Sequence, residues 1–235
     1  MATPRRECTV RKRPPKVRQR QPTGQPRAGL WAENAEAFIL TIGHSTRPIG
    51  EFIRLLKAHG VTRVVDVRTV PRSRHNPQFN RENLPDSLGA ARISYVHFPR
   101  LGGLRSTTSA SQNTAWRNLS FRGYADYMQT EEFRSAVVKL LDSAAHERLA
   151  LMCAEAVPWR CHRSLIADAL LIRGVQANEI SSATRLTPHR LTPFAKVRGT
   201  RITYPAGSSL PSHRTVSTQV GAVSSKRRRS PIKRR

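Results

Sequence analysis

A chain of 235 residues with 41 Lys/Arg against 15 Asp/Glu carries a formal charge of +26, a balance that favours polyanions because cationic side chains release the counterions condensed on a phosphate backbone. Its three cysteines are too few for a disulfide framework and suit a reducing compartment. No stretch has the length of a membrane span and the amino terminus has charge without an apolar signal core, so the reading is a cytoplasmic protein with no membrane partner.

The charge gathers at the ends. Residues 1–30 hold nine Lys/Arg and one acid among Pro and Gln, and residues 206–235 hold eight Lys/Arg and no acid, which is the composition of disordered basic tails. Residues 31–205 are left as one folded domain, itself basic with 24 Lys/Arg and 14 Asp/Glu. DNA or RNA is the partner this charge implies, through the tails and the basic domain together.

The first element is an apolar strand from Phe38 to Ile42, followed by "GHST" and Pro48, which predict a turn and a helix capped by Ser45 or Thr46. Ile49, Phe52, Ile53 and Leu56 keep helical spacing and Gly60 ends the helix. "TRVVDVR" is apolar on both faces, as parallel strands are, so residues 37–68 form a βαβ unit. A weaker helix around 80–91 leads to a third strand, "ISYVHF", and then to a long Gly/Ser-rich loop, "RLGGLRSTTSASQN". Thr130 caps a helix with Glu131 and Glu132 in its first turn, and Phe133, Ala136, Val137, Leu140, Leu141 and Ala144 line one face. "RLALMC" is a fourth strand, residues 162–173 a fourth helix, and "VQANEI" a fifth strand after Gly174, with 184–205 an irregular strap. Strands alternating with helices predict the α/β class: a single layered domain with a mostly parallel sheet flanked by helices.

In such sheets ligands bind beyond the carboxyl ends of the strands. The first strand delivers Gly43, His44 and Ser45 there, the second Asp66 and Arg68 with Ser73 and Arg74 one turn later, the third Gly102 and Gly103, and the fourth Cys153 and Glu155. Just beyond lie Arg160, Cys161, His162 and Arg163. "TIGHST", "VVDVR", "LGG", "RGYADYM" and "LMCAEAVPWRCHRSLIA", in that order from Phe38 to Ser181, resemble the domain-of-unknown-function 488 family. The resemblance implies a compact bacterial or archaeal α/β domain without an established activity, so the chemistry has to be read from the residues.

Three readings of the strand-end residues compete. Cys153 beside Arg160, His162 and Arg163 has the surroundings of an activated thiolate, yet Arg160 lies seven residues on and the loop lacks the glycines that wrap an anion. Cys153, Cys161 and His162, completed by His44 or Glu155, form a metal donor set, but no CxxC is present and neighbours on one helix diverge by about 100°. On that count no metal or other cofactor is required. Asp66 among valines, or Glu155, beside Arg68, Arg160 and Arg163 gives an acid or base next to phosphate-binding cations. The expected catalytic set is therefore Asp66, Glu155, His44, His162 and Cys153, with Ser45, Arg68, Arg74, Gly102, Gly103, Arg160 and Arg163 binding substrate. The first hypothesis is a nucleotide- or nucleic-acid-directed enzyme of hydrolase type; the second is a binding or regulatory module using the same pocket. Trp116, Phe121, Tyr124 and Tyr127, interleaved with Arg117 and Arg122, and Trp159 beside Arg160 imitate a base-stacking platform, but helical spacing assigns Tyr124 and Tyr127 to the core.

Overall fold

Strand β1 (Phe38–Gly43) is buried from Ile39 onward, because it runs through the middle of the sheet. The computed structural model describes residues 38–207; the tails expected at 1–30 and 206–235, apart from 206 and 207, lie outside the described residues. After β1 the order is α1 (Ile49–Ala58), β2 (Arg63–Asp66), α2 (Leu84–Ala90), β3 (Ser94–His97), α3 (Leu119–Tyr127), α4 (Glu131–Ala144), β4 (Leu149–Cys153), α5 (Arg163–Leu171) and β5 (Gln176–Ile180). Three short strands follow: β6 (Leu186–Pro188), β7 (Lys196–Arg198) and β8 (Arg201–Thr203).

The main sheet has the order β3-β2-β4-β1-β5-β6, parallel except for β6. From β1 the chain moves across β4 to β2, whereas from β4 it moves across β1 to β5. Right-handed crossovers running in opposite directions must lay their helices on opposite faces. The side chains record this: Ile39, Leu149 and Leu151 pack with α3, α4 and α5, while Leu40, Ile42, Ala150 and Met152 pack with α1 and α2. Strand alternation thus sends neighbouring residues of β1 and β4 into two separate cores. The point where the crossovers diverge, at the carboxyl ends of β1 and β4, is where an open α/β sheet leaves a crevice.

The predicted mostly parallel α/β domain is the fold observed, and α4 starts as its residues dictate, with Thr130 Oγ1 accepting from the Phe133 amide at 3.3 Å. Three local expectations need correction. Ser45 and Thr46 do not cap α1; its first flanking residue is Pro48, which caps with no side chain but loses nothing by lacking an N–H. A further helix, α3, occupies 119–127, capped by Asn118 Oδ1, which accepts from the Ser120 and Phe121 amides. The 184–205 strap is partly regular: β6 pairs antiparallel with β5, and β7 and β8 form a hairpin. At three residues each, these strands are too short to show an alternating pattern.

One carboxylate ties three points of the strap to α5. Asp168 of α5 is fully buried and accepts from His189 Nε2 (2.7 Å), the Thr192 amide (3.1 Å) and the Tyr204 hydroxyl (2.8 Å). Among the described residues no helix is long and apolar enough to cross a membrane. Tyr204→Phe leaves one Asp168 oxygen buried without its donor, and urea denaturation should register a loss of about 1–3 kcal/mol.

Candidate functional site

The ends of β1 and β4 are stitched by backbone bonds from the His44 amide to the Cys153 carbonyl (2.9 Å) and from the Ser45 amide to the Ala154 carbonyl (3.0 Å). Contact there is so close that a Cβ on Gly43 would lie 2.0 Å from the Glu155 carbonyl oxygen. Ser45 then turns the chain away with φ 49°, the left-handed region that costs a non-glycine residue of the order of 1 kcal/mol or more. The strain sits at the crevice itself.

Behind this turn lies a buried ionic unit. Asp66 accepts from Arg68 Nε (2.9 Å), Arg68 Nη2 (2.6 Å), the Arg68 amide (3.1 Å) and the Tyr95 hydroxyl (2.8 Å), and it has no exposed surface. Arg68 also donates through Nη2 to the Phe79 carbonyl (2.7 Å) and through Nη1 to His44 Nε2 (3.2 Å). Since a guanidinium only donates, Nε2 of His44 must accept. Its proton is therefore on Nδ1, which donates to the Ser45 carbonyl at 2.8 Å. Burial, with the ring stacked on Phe79 at 4.2 Å, is the largest cause that lowers the His44 pKa to about 4, and Arg68 adds to it. His44 is thus a neutral strut between Arg68 and the strained turn.

The crevice opens as a cleft of about 670 Å³. His44, Ser45, Arg68, Gly103, Cys153 and Glu155 of the expected set line it, as do Arg160 and His162. Asp66, Arg74, Gly102 and Arg163 do not line it. Asp66 lies behind Arg68 with its oxygens engaged, Arg74 is exposed elsewhere, and Gly102 packs against Thr69. Arg163 is buried beneath the loop after β4, donating to Glu179 (3.1 Å) and to the Glu155 carbonyl (2.7 Å). Arg72 lines the cleft and was not anticipated, although "PRSRHNP" directly after β2, a cationic turn-forming run, is the signal that marks it. Neither Arg72 nor Arg160 has a side-chain partner among the described residues, and Glu155 is the one carboxylate lining the cleft. Of the aromatics, Tyr124 is fully buried and Trp116 packs against Phe194 and Tyr204, whereas Phe121 reaches the cleft and Trp159 is 74 % exposed.

Two sulfurs and an imidazole meet at the floor. Cys161 is extended (φ −124°) before the helix and His162 occupies the position flanking α5, so the premise that both ride one helix does not hold. Nδ1 of His162 lies 4.0 Å from Cys153 Sγ and 3.8 Å from Cys161 Sγ, while Nε2 donates to the Val67 carbonyl at 3.0 Å. Arg163 Nε donates to Cys161 Sγ at 3.4 Å. The Cys161 thiol is accordingly the more acidic of the pair, lowered by a hydrogen bond from Cys153 and, after burial opposes it, by His162 and Arg163. Cys153 is pushed up by the same bond and by burial.

Fold and site together define a switch-point α/β domain with a cationic, thiol-bearing cleft. The model of the family described as "Domain of unknown function DUF488" matches residues 48–170, over half of the chain, and the chain belongs to that family. Neither the curated proteins nor the solved structures provide a significant match.

Two consequences can be measured. Asp66→Asn leaves a buried guanidinium without its counter-charge, and chemical denaturation should show about 3–5 kcal/mol of lost stability. For His44, the folded pKa of about 4 lies below the ordinary 6.5, so the unfolded chain takes up a proton that the folded one refuses. The associated stability, about 3 kcal/mol, is present above pH 6.5 and is lost as pH falls from 6.5 towards 4. Denaturant midpoints for the wild type and His44→Asn, compared between neutral pH and pH 4.5, check this: the drop should be smaller in the variant.

Proposed function

We propose that the cleft takes a phosphorylated ligand of the nucleotide or nucleic-acid class and that Glu155 performs acid–base chemistry on it, making the protein a hydrolase-type enzyme. What carries this reading is the charge of the lining: among the described residues, Arg72 and Arg160 have no side-chain partner and face a cleft with a single carboxylate. Guanidinium forks match phosphate geometry, and the 41 Lys/Arg of the whole chain supply affinity for a polyanion that needs no base readout. A cytoplasmic, reducing setting belongs to the same reading, because Cys153 and Cys161 are both free thiols.

Asp66 is given no part in proton transfer. Its bonds to Arg68 and Tyr95 use its oxygens, so it positions Arg68 and leaves Glu155, exposed at the rim, as the carboxylate with access to substrate. That same saturation favours the second reading, a binding module without turnover, since it removes one of two expected acids.

A single set of assays separates the two. Full-length protein is titrated with labelled single-stranded and duplex DNA and RNA across a salt series, and the mixtures are run on gels for altered product. Salt-dependent binding with product formation is expected; Glu155→Gln should abolish turnover at nearly unchanged affinity, and Arg72→Ala or Arg160→Ala should each lower the salt slope by about one. Removal of the terminal segments 1–30 and 206–235 should flatten the slope further. Product formation by Glu155→Gln at the wild-type rate sinks the catalytic reading, and absence of binding at low salt sinks the polyanion reading.

A further inference from the structure

The Cys153, Cys161 and His162 side chains are brought together from the end of β4 and the residues before α5, and their donor atoms lie within 4.8 Å of one another. A tetrahedral ion with metal–sulfur bonds of about 2.3 Å and a metal–nitrogen bond of about 2.0–2.1 Å has a sulfur–nitrogen edge of about 3.6 Å and a sulfur–sulfur edge of about 3.8 Å. The observed sulfur–nitrogen edges are 3.8 and 4.0 Å. Contraction by a few tenths of an ångström along each sulfur–nitrogen edge brings these to the tetrahedral value, and the sulfurs already lie within 4.8 Å of each other.

The histidine is oriented for ligation. A carbonyl oxygen accepts and never donates, so the bond from Nε2 to Val67 fixes the ring proton on that nitrogen and leaves the Nδ1 lone pair aimed at both sulfurs. A ligating histidine commonly donates its other N–H to a carbonyl or carboxylate in this way. Gly103 abuts the ring so closely that a Cβ there would lie 2.5 Å from Nδ1. Arg163 Nε donates to Cys161 Sγ, the outer hydrogen bond that thiolate ligands receive. Its charge is already balanced by Glu179 at 3.1 Å, so two thiolates and a dication would add no net charge to the buried layer.

We propose that Cys153, Cys161 and His162 bind one zinc ion, with the fourth coordination position directed into the cleft. Two soft sulfurs and one imidazole select zinc over magnesium, calcium or manganese. Three protein ligands and an open position are the pattern of a zinc site that activates water, whereas structural sites are closed by a fourth side chain. All three ligands line the cleft, and so does Glu155, two residues after Cys153.

The chemical role rests on the reading of the cleft given above, although zinc binding itself does not. Bound water, made more acidic by the ion, adds its oxygen to the electrophilic centre of the substrate. Glu155 takes the proton released from the water and passes it to the departing group, so the sum is addition of one water across one bond with no change of oxidation state.

The test uses the full chain purified under reductant. Elemental analysis should find one equivalent of zinc. After chelation, titration with cobalt(II) should give the intense absorption of tetrahedral coordination together with a sulfur-to-cobalt charge-transfer band, reversed by added zinc. Cys153→Ser, Cys161→Ser and His162→Gln should each weaken binding by more than the ~10–100-fold that loss of an outer-shell partner costs. Cys8→Ser, which changes the remaining cysteine of the chain, should bind as the wild type does. Because the wild-type titration requires no variant to fold, substoichiometric cobalt uptake by the fully reduced chain overturns the proposal, as does uptake without the charge-transfer band. Nucleic-acid binding retained in a chain that takes no metal discards the zinc site alone; zinc bound stoichiometrically by a chain with no affinity for polyanions discards the cleft reading alone.

Discussion

Everything at the site depends on how closely β1 and β4 approach at their carboxyl ends. Gly43 has no space for a side chain against the Glu155 carbonyl, and the backbone bonds of His44 and Ser45 to Cys153 and Ala154 continue the pairing past the end of the sheet. With the strands held this near, the loop after β4 is forced up and over. That loop then carries Glu155 and Arg160 to the rim and returns Cys161 and His162 to the floor. A larger residue at 43 would move the rim and the floor together.

The buried Asp66–Arg68 pair illustrates why position and role are separate questions. An aspartate in a run of valines is legible in the sequence as an acid in a poorly solvated place, and so it is. Its saturation is not legible, because Tyr95 and the Arg68 side chain reach it from a neighbouring strand and from the following loop. Seen from the cleft, the carboxylate serves to hold a guanidinium, and through it a neutral imidazole, in fixed orientation. Such preorganised donors lose little freedom when an anion arrives.

The same contrast runs through the rest of the chain. α4 is readable because its pattern is long and its cap local, as at Thr130, and the five parallel strands because they alternate with helical patterns along the chain. α3 is less so, since its aromatic residues announce burial without announcing an end, and its cap at Asn118 follows a loop with no periodicity. Helical reading fails most instructively at Cys161 and His162. Apolar spacing assigns residues 162–173 to a helix, but the 3₁₀ turn at Pro158–Arg160 leaves Cys161 extended, and that change of conformation between adjacent residues lets both face one point.

The order of the sheet also bears on how the molecule meets its own copies. Among the described residues its two edges are β3 and β6, of four and three residues. β6 ends in Pro188, which has no N–H to offer an incoming strand, and short or proline-bearing edges are how proteins discourage edge-to-edge association. In the proposed complex with a polyanion, many copies of the chain would stand close together. There, blunt sheet edges would disfavour growth into a continuous β-structure.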